Sequence, residues 1–233
     1  MTRPARTAAP PEPAPRTAHT AGTWQQPEPG GPLLRRAAPA ASPGASAGPA
    51  SPADGSRPAA VLFDRDGTLV EDVPHNTDPD RLRPRPLART ALDALRAAGV
   101  PLGVVTNQPD LARGALTVRQ LESLHERLEL LLGPFTVTAV CPHTPEQGCG
   151  CRKPAPGLVH AACRALHVPP RRAAVVGDIG ADLEAAAACG ARGVLVPTEA
   201  TRAAEIDAAR HTADNLALAV RRLLGRDRRT GGG

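Results

Sequence analysis

The chain has 233 residues, a formal net charge of +5 at pH 7, one Trp, two Phe and no Tyr. So few aromatic side chains weigh against a protein that stacks on single-stranded nucleic acid. No apolar run is long enough to span a membrane or to form a signal-peptide core. We therefore expect a cytoplasmic, monomeric protein with no nucleic-acid or membrane partner. In the cytoplasm its five cysteines are expected to be thiols or metal ligands rather than disulfides.

Composition divides the chain into three parts. Residues 1–57 are rich in Pro, Ala, Gly, Ser and Thr without helical or strand periodicity, so this segment buries too little apolar surface to offset its ordering entropy. We predict a disordered arm over 1–57, a folded domain over 58–225 and a flexible tail over 226–233. The Arg-rich C-terminal end is interpreted as solvated charge rather than a nucleic-acid patch.

Short apolar runs alternate with helical patterns from residue 60 onward. This alternation predicts an α/β fold, a three-layer Rossmann-like parallel sheet with helices on both faces. Thr117 is the expected N-cap of the second helix. The predicted strands are 60–63, 101–106, 135–140, 173–176 and 193–196, and the predicted helices are 87–98, 117–132, 156–166, 181–189, 200–209 and 213–224.

The first strand ends in two acids, Asp64 and Asp66, followed at once by Gly67. Residues i and i+2 of a strand point the same way, so both carboxylates can reach one pocket at the carboxyl edge of the sheet, where open α/β sheets bind ligands. Two acids there can act as nucleophile and as general acid/base around a hard cation such as Mg²⁺.

Three later segments add groups that suit a phosphoryl substrate. Thr106 ends a β-branched strand and can donate its hydroxyl to a phosphoryl oxygen. Lys153 is the only lysine in a chain that otherwise uses Arg, which indicates a position that needs a compact ammonium. Asp178 follows another strand and can complete the oxygen shell of a cation. Asp182, one helical turn later, can orient the loop or a metal-bound water, and its role stays open.

A Cys/His cluster precedes Lys153 directly. Cys141, His143, Cys149 and Cys151 follow the pattern C-x-H-x₅-C-x-C. Three thiolates and one imidazole make a closed, tetrahedral, structural zinc site without an open position for catalysis. We therefore predict a zinc-binding loop that fixes the segment carrying Lys153. Cys163 and Cys189 lie on predicted helices and are interpreted as core residues.

These segments, in this order, resemble the haloacid dehalogenase-like phosphatases. The shared motifs are D-x-D-G-T, then Thr, then Lys, then G-D-x-x-x-D, and they span residues 59–200. The resemblance implies that Asp64 attacks phosphorus to form an aspartyl-phosphate, and that Asp66 protonates the leaving alkoxide and then activates water. It further implies Mg²⁺ held by the carboxylates of Asp64 and Asp178 and the backbone carbonyl of Asp66, with Thr106 and Lys153 binding the transferring group.

The zinc loop narrows the resemblance to the D-glycero-D-manno-heptose 1,7-bisphosphate 7-phosphatases and the related histidinol-phosphate phosphatases. These enzymes lack a large cap domain and act on small phosphorylated metabolites. By the resemblance, Asn107, Gln108, Arg113 and Arg152 lie near the substrate. The sequence departs from the pattern at Ile179, at Pro109-Asp110 and in the segment 71–76, all of which border the substrate.

Two alternatives stay open from the sequence. Within the phosphatases, the substrate can instead be histidinol phosphate or another small metabolite. A non-enzymatic alternative is a zinc-stapled module that binds nucleic acid or protein, which would leave the ordered set of acids, Thr106 and Lys153 as coincidence.

Overall fold

The computed structural model describes residues 23–37 and 57–225. In these ranges the chain forms one sheet with helices packed against it. The strands are β1 (Leu33–Arg36), β2 (Ala60–Phe63), β3 (Leu102–Asn107), β4 (Val137–Cys141), β5 (Ala173–Gly177) and β6 (Arg192–Leu195). The α-helices are α1 (Ala88–Ala97), α2 (Val118–Leu132), α3 (Gly157–Leu166), α4 (Gly180–Ala188), α5 (Ala203–Ala208) and α6 (Leu216–Leu223).

The sheet has the strand order β1-β4-β3-β2-β5-β6. Strands β2 to β6 are parallel, and β2 lies between β3 and β5. The chain therefore moves away from β2 in one direction through β3 and β4, and in the other through β5 and β6. Ligand sites of open α/β sheets lie outside the carboxyl ends of the strands at such a reversal of strand order. The predicted α/β fold is confirmed, and the predicted strands and helices lie close to their expected positions.

Alternate residues of β2 pack into separate hydrophobic clusters. Val61 and Phe63 belong to a cluster that also contains buried leucines of α1 and α2, whereas Leu62 packs with side chains of α3 and α4. All four residues of β2 are fully buried. A strand buried on both faces reads as a continuous apolar run, which is why this short segment was recognisable in the sequence.

Helix ends and loops follow local chemistry. Thr117 caps α2 through a capping box, in which its hydroxyl accepts from the Gln120 backbone N–H. No separate cap domain is inserted among the described residues, since the segment from β2 to α1 contains only a short 3₁₀-helix at Pro79–Arg81. Across residues 23–37 and 57–225, no helix combines the length and the apolar character needed to cross a membrane.

The prediction of an arm without regular structure is wrong for residues 33–36. These residues form β1, which pairs antiparallel with β4 and covers the edge of the sheet. Four residues are too few to show a clear strand period, and the pairing partner is more than 100 residues away in sequence (Leu33 opposite Val140). Residues 1–22, 38–56 and 226–233 lie outside the described ranges, so the rest of the arm and the tail stay predictions.

A buried polar network holds this segment on the domain. The guanidinium of Arg35, 4% exposed, donates to Glu122 (3.1 Å) and Glu129 (3.2 Å) on α2. Trp24 packs edge-on against His125, with ring centroids 5.7 Å apart. His125 lies 3.5 Å from Glu129. Residues 23–37 therefore belong to the folded unit through charge pairing as well as backbone hydrogen bonds.

We expect Arg35→Met to lower the free energy of unfolding by about 2 kcal/mol, because it leaves two partly buried carboxylates without that guanidinium. Arg89→Met is the matched control, since Arg89 and Asp93 form an exposed pair on α1, and we expect a loss of no more than about 0.5 kcal/mol there. Urea unfolding followed by circular dichroism gives both values. Equal losses in the two variants would show that the Arg35 network does not hold β1.

The same network predicts a pH dependence. Burial opposes ionisation of Glu129, but His125, the Phe135 backbone N–H and Arg35 outweigh it and lower the pKa of Glu129 to about 2. A carboxyl with a lowered pKa stabilises the fold above its unfolded pKa, and the contribution is lost as pH falls through the folded value. The difference in unfolding free energy between wild type and Glu129→Gln should therefore be largest above about pH 4.5 and shrink toward pH 2. A difference that does not change with pH would contradict this assignment.

Candidate active site

The predicted catalytic groups converge at the carboxyl edge of the sheet. Asp64 follows β2, Thr106 lies near the end of β3, and Asp178 follows β5. All three side chains are buried. The backbone N–H of Asp64 donates to the Val176 carbonyl (2.9 Å), which extends the β2–β5 pairing to the first acid. The reversal of strand order at β2 therefore places the groups from three strands around one pocket.

Lys153 enters this pocket from the loop that follows β4. Its ammonium lies 2.5 Å from Asp64 Oδ1, 2.6 Å from Asp182 Oδ1 and 2.9 Å from the Val105 carbonyl oxygen. Three acceptors match the three N–H donors of an ammonium. A compact ammonium with three rotatable donors suits three separate acceptors better than the planar fork of a guanidinium does, which agrees with the use of lysine here in an Arg-rich chain.

Burial sets the electrostatics of the pocket. It raises the pKa of Asp64 well above the ordinary value, against the effect of Lys153. Burial and the neighbouring charge of Asp182 raise the pKa of Asp178 to about 6. Burial opposes the charged form of Lys153, but Asp182 and Asp64 outweigh it and raise the pKa of the ammonium. The pocket therefore holds more carboxylates than Lys153 alone can neutralise.

The surplus of acids fits a divalent cation. Carboxylate oxygens of Asp64, Asp178 and Asp182 all lie within 4.8 Å of one another, and hard cations such as Mg²⁺ prefer oxygen ligands. A Cβ on Gly67 would lie 2.1 Å from Asp178 Oδ2, so the turn needs glycine to let Asp178 approach. Lys153 contacts both Asp64 and Asp182, so the assignment of the ion to Asp64 and Asp178, which the family resemblance implies, stays a prediction.

The role of Asp182, left open by the sequence, follows from its contacts. It is fully buried, pairs with Lys153 and packs against the backbone of Gly177, where a Cβ would lie 2.2 Å from the Asp182 carboxyl carbon. Its position in the first turn of α4 therefore serves to hold the ammonium.

Asp66 points toward polar side chains of the pocket wall. Arg65 donates to it through Nε (3.0 Å to Oδ1) and Nη2 (2.9 Å to Oδ2), and Gln108 Nε2 donates to Oδ2 (2.8 Å). Gln108 Nε2 also lies 3.1 Å from Thr106 Oγ1. Arg65 was missed by the sequence analysis, although a cation flanked on both sides by acids is a recognisable signal.

Asn107 holds the loop that carries Lys153. Its side-chain Oδ1 accepts from the Lys153 backbone N–H (3.1 Å), and its Nδ2 donates to the Lys153 carbonyl (3.2 Å). Both the oxygen and the nitrogen of the Asn107 amide thus contact the backbone of Lys153. The substrate contact predicted for Asn107 stays a prediction, and its observed contacts are structural.

The four residues of the Cys/His cluster lie together, as the spacing predicted. The sulfurs of Cys141, Cys149 and Cys151 are 3.3–3.6 Å apart, and His143 Nδ1 lies 3.3 Å from Cys151 Sγ. Tetrahedral zinc with bonds of about 2.3 Å places two sulfurs about 3.8 Å apart, so a modest expansion admits the ion. A hydrogen bond from Cys151 lowers the pKa of Cys141 to about 5, which favours the thiolate form that binds metal.

Two predicted substrate residues, Arg113 and Arg152, lie on the loops that follow β3 and β4 at the carboxyl edge of the sheet. Arg152 donates to the His143 carbonyl (3.4 Å), so the Cys/His cluster orients it. Arg113 is half-exposed and contacts Asp110 (3.3 Å), which also contacts His75 Nδ1 (2.7 Å). Asp110, a departure from the family pattern, therefore links the loop after β3 to the loop after β2. Cys163 is buried on α3, as predicted, whereas Cys189 is partly buried and directly follows α4.

Comparison with known proteins relates this geometry to a family. Residues 150–223 match a HAD-hydrolase-like family model. The D-glycero-beta-D-manno-heptose-1,7-bisphosphate 7-phosphatase of Pseudomonas putida is 37% identical over 143 residues, 59% of this chain and 82% of that protein. The chain belongs to the haloacid dehalogenase-like phosphatase family. It is therefore a hydrolase of phosphoric monoesters, and the non-enzymatic alternative is set aside.

Solved structures agree with this assignment. The D,D-heptose 1,7-bisphosphate phosphatase of B. bronchiseptica, complexed with magnesium and phosphate, is 28% identical with a TM-score of 0.61 and covers 72% of this chain and 99% of that one. A protein from Mesorhizobium loti described as a HAD-like phosphatase is 29% identical with a TM-score of 0.65, covering 89% of this chain and 100% of that one. The family assignment thus rests on fold as well as sequence.

We expect the purified protein to bind one zinc ion per chain through the Cys/His cluster. Cys149→Ser should lower the zinc content and destabilise the loop, because a structural site needs all four ligands. Cys189→Ser is the matched control, since Cys189 directly follows α4 and lies outside the cluster. Atomic absorption after gel filtration measures the content. Equal zinc in both variants and the wild type would contradict the assignment.

Proposed function

We propose that this protein is a Mg²⁺-dependent phosphomonoesterase that works through an aspartyl-phosphate on Asp64. The observation that carries the proposal is the placement of Asp64 Oδ1 2.5 Å from the ammonium of Lys153, with Asp178 and Thr106 on the adjoining strand ends. Phosphoryl transfer through a covalent intermediate uses a carboxylate nucleophile, a fixed cation, a hydroxyl donor and further acids. The pocket brings these groups together.

In the first step, an oxygen of Asp64 attacks phosphorus while the bond from phosphorus to the leaving oxygen breaks. Asp66 gives its proton to that oxygen and becomes a carboxylate. Lys153 and the hydroxyl of Thr106 bind oxygens of the transferring group, where charge accumulates in the transition state. Asp182 and the Val105 carbonyl anchor two of the three N–H donors of Lys153, so the third, which contacts Asp64 Oδ1, is the one that can turn to a phosphoryl oxygen.

In the second step, Asp66 takes a proton from water, and the resulting hydroxide attacks phosphorus. The bond between phosphorus and Asp64 breaks, which releases inorganic phosphate and restores both acids to their starting states.

Two metals support these steps in different ways. Mg²⁺, held by the carboxylates of Asp64 and Asp178 and the backbone carbonyl of Asp66, would neutralise negative charge on the nucleophile and the phosphoryl oxygens. Zinc in the Cys/His cluster would have a structural role, since four protein ligands leave no open position. Cys151 lies two residues before Lys153, so the cluster limits how far the catalytic ammonium can move.

For the substrate, we propose D-glycero-D-manno-heptose 1,7-bisphosphate, from which the 7-phosphate is removed. The support is the activity named for the relatives, together with two guanidinium groups, Arg113 and Arg152, on the loops that follow β3 and β4 at the carboxyl edge of the sheet. A substrate with a second phosphate offers a partner for such groups. Histidinol phosphate, with one phosphate, is the alternative within the same chemistry.

We expect Asp64→Asn to reduce phosphate release about 10³-fold or more, because an amide oxygen is a poor nucleophile toward phosphorus. The measurement is phosphate release with Mg²⁺ from the heptose bisphosphate, histidinol phosphate and common hexose phosphates. Asp93→Asn, an exposed acid on α1, is the matched control and should keep full activity. Full activity in Asp64→Asn would refute the nucleophile, whereas preference for histidinol phosphate would refute only the substrate.

A further inference from the structure

Gln108 joins two groups that the proposed mechanism uses. Its Nε2 donates to Asp66 Oδ2 at 2.8 Å and to Thr106 Oγ1 at 3.1 Å, and the residue is 8% exposed. Its backbone N–H donates to the Cys141 carbonyl (2.8 Å). The side chain is therefore held in the pocket wall, anchored to the strand that leads into the Cys/His cluster.

The amide must present its nitrogen to Asp66. An ionised carboxylate only accepts hydrogen bonds, whereas the amide nitrogen only donates them. Thr106 Oγ1 accepts from the same nitrogen, so the hydroxyl hydrogen of Thr106 stays available for donation to a phosphoryl oxygen. One amide group thus orients the acid–base residue and the phosphate donor together.

The contacts to Asp66 are also unequal between its two oxygens. Oδ2 accepts from Gln108 Nε2 (2.8 Å) and Arg65 Nη2 (2.9 Å), and the one hydrogen of Arg65 Nε is shared between Oδ1 (3.0 Å) and Oδ2 (3.1 Å). An oxygen that already accepts from two separate donors is a poor site for a proton, because an added hydrogen would face N–H groups. A proton on Asp66 is therefore favoured on Oδ1.

We propose that Gln108 is a positioning residue that makes Oδ1 the proton-transferring oxygen of Asp66. This proposal rests on the proposed function, since it assigns a role within the same reaction. It replaces the direct substrate contact predicted for Gln108 from the sequence. In the first step, the proton on Oδ1 moves to the leaving oxygen as the phosphorus–oxygen bond breaks, while Oδ2 keeps its donors.

The test varies how much the leaving group needs a proton. Phenyl phosphates with increasingly acidic phenols depend less and less on general-acid catalysis, which contributes about 10²- to 10⁴-fold where it is needed. We expect Gln108→Met to lower kcat/KM for phenyl phosphate by about tenfold to a hundredfold. We expect dinitrophenyl phosphate to lose less than about threefold, because its leaving group departs without help.

Other patterns would overturn the proposal. An equal loss across the phenyl series would mean that Gln108 serves phosphate binding or folding only. A loss confined to the sugar phosphate, with no change in the phenyl series, would mean a direct substrate contact. Gln26→Met is the matched control, because Gln26 donates to Gly31 in the N-terminal segment, and it should leave the series unchanged.

A second variant and a direct structural measurement keep the test decisive. Gln108→Glu keeps the shape of the side chain but removes the donor. If Gln108→Met fails to fold, Gln108→Glu should show the same pattern, a larger loss of kcat/KM for phenyl phosphate than for dinitrophenyl phosphate. A crystal structure of either variant should show the Asp66 carboxyl rotated from the orientation in which Oδ2 faces residue 108, and an unmoved carboxyl would refute the role. Wild-type protein that releases phosphate from no ester, sugar phosphates included, would refute the proposed function itself.

Discussion

The buried ammonium of Lys153, enclosed by Asp64, Asp182 and the Val105 carbonyl, is the interaction around which the site is arranged. A charge removed from water is tolerated only where acceptors surround it. Here the acceptors come from the end of β2, from β3 and from α4, so the loop carrying Lys153 must be held at a fixed distance from all three elements. Asn107 does this through the Lys153 backbone, and the Cys/His cluster does it from the other end of the loop.

The net charge of the pocket explains why we expect a cation and a phosphoryl group to bind there together. Burial raises the pKa of Asp64 and Asp178, so their charged forms are disfavoured while Lys153 is the cation among them. A divalent ion would relieve this repulsion, and a phosphoryl group would then meet a pocket that is no longer negative. The acids that repel one another in the isolated pocket therefore support the proposed metal-assisted phosphoryl transfer.

The N-terminal segment illustrates a different constraint, the exposed edge of a sheet. Strand β4 would present unpaired backbone groups at this edge, and β1 covers them. The pairing is reinforced by Arg35 and Trp24, which contact α2 rather than the strand itself. Since β4 leads directly into Cys141, the segment also supports the strand from which the Cys/His loop begins.

By itself, the sequence determined the α/β fold, the strand ends that carry the chemistry and the family, because alternating apolar runs and the i, i+2 acids after β2 are local patterns. It also indicated that the four Cys and His residues lie together, because their spacing within one loop limits the geometry. Only the tertiary structure decided the strand β1, the anchoring role of Asp182 and the contact of Gln108 with Asp66. These depend on partners far apart in the chain, 42 residues for Gln108 and Asp66. No local pattern encodes such a pairing, because packing of the whole sheet brings the two groups together.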